Sequence, residues 1–285
     1  MNAAVCAAET IRGAAFGNAT TFENLTMVPI VGGTSEPPVD YLTLDEALAG
    51  GAIEVTEVSN AGHVPELKVV VKGDRPVLLV QGEELVGAKQ NRVLNITILA
   101  PAGRETVIPV SCVEAGRWHH VSRTFASSSR AQFSSARAAT LRQVTASMRR
   151  SPTSRASDQG AVWDLMAETA LNFDAASPTA AMSAIFDKVE QPVEAFVSAL
   201  APDASRSGEV GAVFCINGMP AGMEWFDAPA TWRKLAPKVI RSYALDAIYQ
   251  SARRTNGSES RSSQVAKGSV TTRLIAFTAA IRSEE

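Results

Sequence analysis

The sequence predicts an α+β protein, with an antiparallel β-rich N-terminal half shaped as a sandwich or barrel-like body and a helical C-terminal half packed against it. Three observations support this fold class. Apolar residues alternate with a period of two up to about residue 111, and Ala-rich stretches of good helix formers follow from about residue 122. In addition, 46% of the 285 residues are hydrophobic, which is enough for a large buried core.

The predicted strands are short runs of Val, Ile and Leu separated by turn residues such as Gly32-Gly33 and Gly73-Asp74. A helix at residues 43–48 interrupts them, because Thr43 and Glu46 have the spacing of a capping box. The strands are expected at residues 25–31, 53–58, 67–71, 77–80, 93–99 and 107–110.

The second half is predicted to be mainly helical with one β-hairpin. Asn217-Gly218 marks the hairpin turn, Ser177-Pro178 marks a helix start, and Pro192 is expected to kink or restart that helix. The helices are expected at residues 128–148, 161–171, 177–200 and 228–250, and the hairpin strands at 210–216 and 219–226.

We divide the chain by composition into four parts, although no clean linker separates them. They are an N-terminal extension (1–20), a β-rich lobe (21–121), a mainly helical lobe that shares its core (122–250), and a mobile loop with a C-terminal element (251–285).

Composition narrows the class of protein. A net charge of −2 favours neither nucleic acid nor an anionic membrane as partner. The sequence contains no run of 18 apolar residues and no basic leader followed by an apolar stretch, so we expect no membrane span and no secretory signal. Three scattered cysteines are typical of a reducing cytoplasm. Composition does not indicate an oligomeric state.

One short segment is strongly basic. Residues 121–160 contain seven Arg and one Asp, a net charge of +6, whereas residues 1–120 contain eight basic and fourteen acidic residues, a net charge of −6. Arg123, Arg130 and Arg137 are seven residues apart, which would place them on one face of a helix. We expect this stripe to pair with the acidic N-terminal lobe; the alternative is a surface that docks a phosphate or a partner.

The first candidate site is the polar stretch QGEELVGAKQNR at residues 81–92, between two apolar strands. Its acids are candidates for a general base, Glu84 above all, and its polar and basic residues are candidates for holding an anionic ligand: Lys89, Asn91 and Arg92. The alternative is a solvated hairpin whose Glu and Lys side chains merely pair across the turn.

The second candidate site is PVSCVEAGRW at residues 109–118, where a predicted strand ends in a Gly-containing turn. Glu114 is a candidate acid–base group, Arg117 a candidate phosphate ligand, and Trp118 either a stacking platform or a cover for the end of the sheet. Cys112 is expected to be a buried thiol rather than a nucleophile. The spacing of Cys112 and the following histidines is not that of a zinc site, so we predict no metal.

The sequence lacks the GxxxxGK[ST], GxGxxG, HExxH and GxSxG motifs. This argues against P-loop NTPases, dinucleotide-binding dehydrogenases, zincins and α/β-hydrolases.

Three segments together resemble a bacterial family, the ARG- and rhodanese-phosphatase-superfamily-associated protein domain. They are QGEELVGAKQNRVLN (81–95), IPVSCVEAGRW (108–118) and the region from VGAVFCINGMPAGMEW to RSYALDA (210–247). The resemblance extends over residues 21–248 and is not recognisable after residue 257. The family name implies an association with ADP-ribosylglycohydrolases, and hence a link to ADP-ribose or NAD turnover. The resemblance leads us to expect Asp at position 81, where this chain has Gln81.

Two functions follow as hypotheses. In the first, the protein binds or processes an ADP-ribose-like nucleotide in a cleft between the lobes; Arg92 and Arg117 hold phosphates, while Glu84 and Glu114 supply acid–base chemistry. Antiparallel pairing of the strands that carry the two polar segments would bring these groups together. In the second, the protein is a non-catalytic module that docks a partner enzyme through the arginine stripe. No cofactor is indicated.

Overall fold

The structure, a computed structural model, describes residues 14–32, 39–59, 65–202 and 208–256. Helices α1 to α6 span Leu44–Ala49, Ser134–Arg150, Gln159–Asn172, Met182–Lys188, Glu190–Leu200 and Pro229–Asn256. Strands β1 to β7 span Ala15–Phe16, Thr20–Phe22, Leu25–Val31, Leu42–Thr43, Ile53–Glu57, Glu66–Val71 and Val77–Leu79. Strands β8 to β14 span Glu83–Gly87, Arg92–Leu94, Ile98–Ala100, Glu105–Cys112, Phe125–Ala131, Glu209–Ile216 and Met219–Trp225. The predicted α+β class, with strands first and helices after them, is confirmed.

The chain forms two compact units. The central unit is Val39–Glu194, and the terminal unit combines Met1–Pro38 with Ala195–Glu285. The segment before residue 38 belongs with the C-terminal part because β3 pairs with β13 along its whole length.

The central unit is built on two sheets. One has six antiparallel strands in the order β12-β8-β9-β11-β6-β5, and the other has three strands in the order β10-β7-β4. Residues from both sheets and from α1 form one apolar core, which includes Leu44, Val69, Leu79, Leu94 and Val110. Alternation is clear in β5, where Ile53, Val55 and Glu57 are buried and the residues between them are partly exposed. Strands β4 to β11 of this unit belong to the predicted β-rich N-terminal half, whereas β3 of that half lies in the terminal unit.

The terminal unit is built on one antiparallel sheet in the order β1-β3-β13-β14, with β2 added beside β3. Strands β13 and β14 form the predicted hairpin, and its turn residues Asn217 and Gly218 have φ values of 54° and 75°. Positive φ at both positions is typical of the type I′ turn that Asn-Gly favours.

Helix α1 begins as predicted, with the capping box at Thr43 and Glu46. The Glu46 carboxylate accepts from the Thr43 backbone N–H at 2.9 Å, and the Thr43 hydroxyl accepts from the Glu46 N–H at 3.4 Å.

The single strand predicted at residues 93–99 is wrong. The chain forms β9 and β10 instead, and these belong to different sheets. Between them, the Thr97 hydroxyl accepts from the Gln81 backbone N–H at 3.0 Å, and the Asn95 backbone N–H bonds to the Pro109 carbonyl at 3.1 Å. These bonds stabilise a corner that an uninterrupted apolar pattern does not reveal.

The helix predicted at residues 128–148 begins later. Residues Phe125–Ala131 form β12, which pairs with β8, and α2 starts only at Ser134. The stretch FASSSRA has weak intrinsic preference for either structure, so pairing with a buried neighbour decides its conformation.

The helix predicted at residues 177–200 begins later, at Met182, and restarts near Pro192, as expected, to give α4 and α5. Ser177 instead supports a turn, since its hydroxyl accepts from the backbone N–H groups of Thr179 at 3.3 Å and Ala181 at 3.1 Å. The break falls at Val189, and Pro192 lies in the first turn of α5, where a missing N–H costs little.

Helix α6 starts one residue after the predicted start and continues to Asn256, so the loop predicted for residues 251–256 is wrong; the rest of that predicted loop lies outside the described residues. The predicted element at residues 270–281 and Cys6 lie outside the described residues.

Candidate functional site

The two polar segments predicted from the sequence meet in the central unit. Strand β9 pairs with β8 on one side and with β11 on the other, so that Arg92 lies opposite both Leu85 and Cys112. The loop between β8 and β9 therefore lies next to the residues that follow β11. The antiparallel arrangement expected of these segments is confirmed.

The stretch at residues 81–92 is not a solvated hairpin. Its acids Glu83 and Glu84 and its base Arg92 are almost fully buried, as are Gln90 and Asn91. Burial of so many polar groups is costly unless each has a partner or a use. The partners of each group thus decide its role.

The best satisfied group is the carboxylate of Glu114. One of its oxygens accepts from Arg117 Nη2 at 2.6 Å and from the Asn91 backbone N–H at 3.1 Å, and the other accepts from the Thr179 hydroxyl at 2.8 Å. Burial alone would raise the pKa of Glu114, but these hydrogen bonds outweigh it and hold the pKa below its ordinary value.

Arg117 is similarly occupied. Besides Glu114 it donates to the carbonyls of Ala88 at 2.7 Å and Gly87 at 3.2 Å, and to the Asn91 side chain at 3.0 Å. Its guanidinium thus fastens the β8–β9 loop to the chain after β11. As placed, Glu114 and Arg117 hold the loop; the acid–base and phosphate roles predicted for them would require these bonds to open.

A close backbone approach completes this anchor. The Gly116 N–H bonds to the Thr179 carbonyl at 2.8 Å, and a Cβ at position 116 would lie 2.8 Å from the Thr179 Cα. Only glycine allows this contact, which brings Thr179 to Glu114.

Arg92 is different. Its side chain is fully buried, yet among the described residues only Nη1 has a hydrogen-bond partner, the Gln90 side-chain oxygen at 2.9 Å. The Glu57 carboxylate is 4.0 Å from Nη2, which is too far for a hydrogen bond. Burial lowers the pKa of Arg92, and the neighbouring Cys112 and Glu57 counteract this.

Trp118 and Lys89 lie at the surface beside Arg92. The Arg92 Cζ and the Lys89 Nζ lie over the Trp118 ring, 5.8 Å and 5.2 Å from its centroid. These distances are in the range of cation–π interactions. The Trp118 side chain is 48% exposed, so part of the ring remains open to solvent.

Glu84 lies apart from this group. It pairs with Val93 whereas Leu85 pairs with Arg92, so the side chains of Glu84 and Arg92 leave opposite faces of the sheet. Its carboxylate is fully buried, and neither oxygen has a hydrogen-bond partner with acceptable geometry among the described residues. Burial raises the pKa of Glu84 to about 7; Ser128 and Arg130 oppose this rise, while Asp187 and Glu114 add to it. A buried acid that titrates near neutrality is a candidate for proton transfer.

Cys112 is buried, as predicted, and burial raises the pKa of its thiol. The neighbouring Glu114 carboxylate makes only a small further contribution in the same direction. Its backbone is bonded at both ends by the Gln159 side chain, which accepts from the Cys112 N–H and donates to its carbonyl, each at 2.8 Å.

Gln81 takes the position where an Asp was expected. Its amide donates to the Arg137 carbonyl at 3.1 Å and accepts from Arg137 Nε at 3.2 Å. A carboxylate could accept from Arg137 but could not donate to it, so Gln81 suits this environment as an anchor for α2.

The arginine series does not form a helical stripe. Arg123 precedes β12, Arg130 lies within it, and Arg137 is buried in α2. Arg130 pairs with Asp187 at 2.7 Å and lies 4.0 Å from Glu190, both from the later helices rather than from the acidic N-terminal lobe. The stripe interpretation is therefore wrong, because the spacing of seven spans three different elements.

Sequence reasoning missed two partners of the site, Glu57 and Thr179. Glu57 had a usable signal: it takes the third inward position of β5 after Ile53 and Val55, where an apolar residue is expected. Thr179 had none, because it is 65 residues from Glu114 in the sequence.

Two negative findings apply to the part of the chain that the structure describes. No group of three or more His, Cys, Asp or Glu side chains there is placed to hold a metal ion. None of the helices described has the length and apolar character needed to cross a membrane.

Fold and site together define an α+β protein with a buried, charged loop on the larger sheet of its central unit. The chain belongs to the family described as the ARG and Rhodanese-Phosphatase-superfamily-associated Protein domain, whose model matches residues 13–285. The match is longer than the resemblance to residues 21–248 and includes the stretch after residue 257. No curated protein and no solved structure matches the chain.

Proposed function

We propose that the central unit binds a phosphorylated ligand with a planar ring, of the ADP-ribose or NAD class, at the exposed face of Trp118. The observation that carries the proposal is the half-exposed Trp118 ring beside two cations, Lys89 and Arg92. An exposed indole stacks on a base, and nearby cations attract the phosphates of the same ligand.

The family description supports the ligand class. It connects the family with ARG proteins, which we interpret as ADP-ribosylglycohydrolases. A protein that works beside such enzymes in the bacterial cytoplasm would encounter free ADP-ribose, and composition is compatible with that setting.

Processing of the ligand is a separate step. Of the two acids predicted to act, only Glu84 has carboxylate oxygens that are not already bonded within the described fold, whereas Glu114 is saturated. A catalytic role for Glu84 would require its buried side chain to reach the ligand during an opening of the strand pair β8–β12.

The docking alternative has less support. A partner-binding surface made by one helical arginine stripe does not exist in the described structure, because Arg123, Arg130 and Arg137 lie in a loop, a strand and a buried helical position.

Binding is tested by isothermal calorimetry with ADP-ribose, NAD, AMP and adenosine on the full chain. The substitution Trp118→Leu should weaken nucleotide binding at least about fivefold, since stacking of one base contributes about 1–3 kcal/mol and about 1.4 kcal/mol is a factor of ten. Trp225→Leu is the matched control, because Trp225 is a partly exposed tryptophan on β14 of the terminal unit and is not part of the site. Failure of all four ligands to bind at millimolar concentration, or equal loss in both variants, would contradict the proposal.

A further inference from the structure

Two buried arginines of the central unit, Arg92 and Arg117, lie in the two polar segments but differ in the number of hydrogen bonds that they make. Arg117 donates to three carbonyl groups, one amide oxygen and one carboxylate. Arg92 has one hydrogen bond of good geometry, to Gln90, and also interacts with the Cys112 thiol, while its Nε and Nη2 have no partner of acceptable geometry among the described residues.

An unsatisfied buried guanidinium is costly. Removing it from water loses several strong hydrogen bonds, and a carboxylate at 4.0 Å compensates only through charge. The nearest acid, Glu57, is itself poorly satisfied, because one of its oxygens has no partner among the described residues and the other accepts only a long bond of 3.4 Å from the Lys89 N–H. The pair therefore leaves donor capacity that a further acceptor can use.

The surroundings favour an anionic acceptor. Among the described residues, Arg92 and Lys89 bring two positive charges to the Trp118 ring, and the Glu57 carboxylate lies 4.0 Å from Arg92 Nη2. Cys112, the other polar group beside Arg92, is neutral because burial raises its pKa. Glu114 does not add free negative charge, since Arg117 neutralises it at 2.6 Å.

The Trp118 side chain is one of the groups that separate Arg92 from solvent. The guanidinium is fully buried while the ring over it is 48% exposed. Residues 118–122 contain no helix or strand, and their side chains are exposed. The Val121 N–H bonds to the Ala88 carbonyl at 3.0 Å, and the Ser122 hydroxyl accepts from the Ala88 N–H at 2.8 Å. We therefore expect rotation of the Trp118 side chain to change access to Arg92.

We propose that Arg92 and Lys89 form an oxyanion site that the Trp118 side chain covers, and that this site takes a phosphate group. The inference deepens the proposed function, on which it rests for the identity of the complete ligand: phosphate goes to Arg92 and Lys89, and the planar ring stacks on the outer part of Trp118. The anion site itself requires no nucleotide.

The test is chemical labelling of arginine with phenylglyoxal, followed by peptide mass spectrometry on the full chain. In the wild-type protein Arg92 should react slowly. In Trp118→Ala it should react at least about tenfold faster, because removing the ring shortens the path from solvent to the guanidinium. Inorganic phosphate or pyrophosphate should slow this labelling, whereas sodium chloride at the same ionic strength should not.

Arg117 and Arg137 are matched controls in the same samples. Both are buried and bonded within the fold, so their labelling should stay slow with or without Trp118 and phosphate. The variant Lys89→Gln, combined with Trp118→Ala, should require several-fold more phosphate for the same protection.

Three results would overturn the inference: Arg92 that stays unreactive in Trp118→Ala, labelling that rises equally at Arg117, or labelling that phosphate does not slow. These outcomes are distinct from failure of the proposed function. If phosphate protects Arg92 but no nucleotide binds, the protein has an anion site and the proposed nucleotide function is wrong. If a nucleotide binds but does not protect Arg92, Trp118 stacks the base and Arg92 takes no part.

Discussion

The Glu114–Arg117 pair and the Arg92–Glu57 pair are both buried ion pairs from the same region of the sheet. They differ in how many of their polar atoms make hydrogen bonds. In the first, the charged atoms are 2.6 Å apart and both partners bond further groups; in the second they are 4.0 Å apart and atoms on both sides lack hydrogen bonds within the described structure. A saturated pair fixes a structure, whereas an unsaturated pair retains capacity for a ligand. We therefore expect Glu114 and Arg117 to anchor the loop and Arg92 to contact a ligand.

The largest effect is expected from breaking the saturated pair. Glu114→Gln should lower the free energy of unfolding by about 3–5 kcal/mol, because it leaves Arg117 buried without its counter-ion. The same substitution at the unsaturated pair, Glu57→Gln, should cost less, because it removes charge compensation at 4.0 Å but no hydrogen bond to Arg92. Urea unfolding at pH 7 measures both. Equal losses would mean that the two pairs are energetically alike and would remove the basis of the comparison.

A second test uses pH, because the two buried acids shift in opposite directions. The pKa of Glu84 is raised to about 7 by burial, so the folded state binds its proton more tightly than the unfolded state does. Stability from this group is therefore complete below the unfolded pKa of 4.5 and decreases as pH rises to about 7, by roughly 3 kcal/mol in all. The pKa of Glu114 is lowered, so its contribution is present above the unfolded pKa and is lost as pH falls through the folded one.

The variant Glu84→Gln separates these contributions. It should remove most of the decrease in the free energy of unfolding between pH 5 and pH 8 and should be more stable than the wild type at pH 8. Glu83→Gln is the control, because Glu83 accepts from the Val80 backbone N–H at 2.6 Å and already has a partner. A wild-type profile that is flat over this range would show that Glu84 is not protonated as described.

The smallest loss of stability is expected from removing the hydrogen bond that the Thr179 hydroxyl donates to Glu114. Thr179→Val should cost about 1–2 kcal/mol by removing the 2.8 Å hydrogen bond to Glu114 while keeping the shape of the side chain. Thr145→Val should change stability by less than about 0.5 kcal/mol, because the Thr145 hydroxyl is exposed and bonds only the Leu141 carbonyl of its own helix. A cost at position 179 no larger than at position 145 would indicate that the third bond to Glu114 is dispensable.

Local patterns predicted the local structure well. The Thr43–Glu46 capping box and the Asn217-Gly218 turn depend on residues within a few positions of one another, and both are present. The sequence also located the two polar segments, and strand pairing explains why they meet at Arg92 and Cys112.

The remaining features depend on distant partners. Glu114 reads as a candidate catalyst in the sequence, and only the hydrogen bond from Thr179 and the bonds of Arg117 show it to be saturated. The sequence predicts the start of a helix at residues 128–131, and only the pairing of β12 with β8 shows that they belong to a strand. Spacing along the chain contains no information about these contacts, so the arginine series could not be assigned correctly from its period.

The double bond between Gln159 and the Cys112 backbone has a consequence for folding and solubility. At its start β11 is paired with β6, but its last residue has passed the end of that partner, and the Gln159 amide bonds its N–H and carbonyl as a neighbouring strand would. A side chain at the first residue of α3 thus closes an otherwise adhesive sheet margin. We expect a chain in which α3 has not yet docked to expose these two backbone groups of Cys112, and therefore to associate with other molecules more readily during refolding.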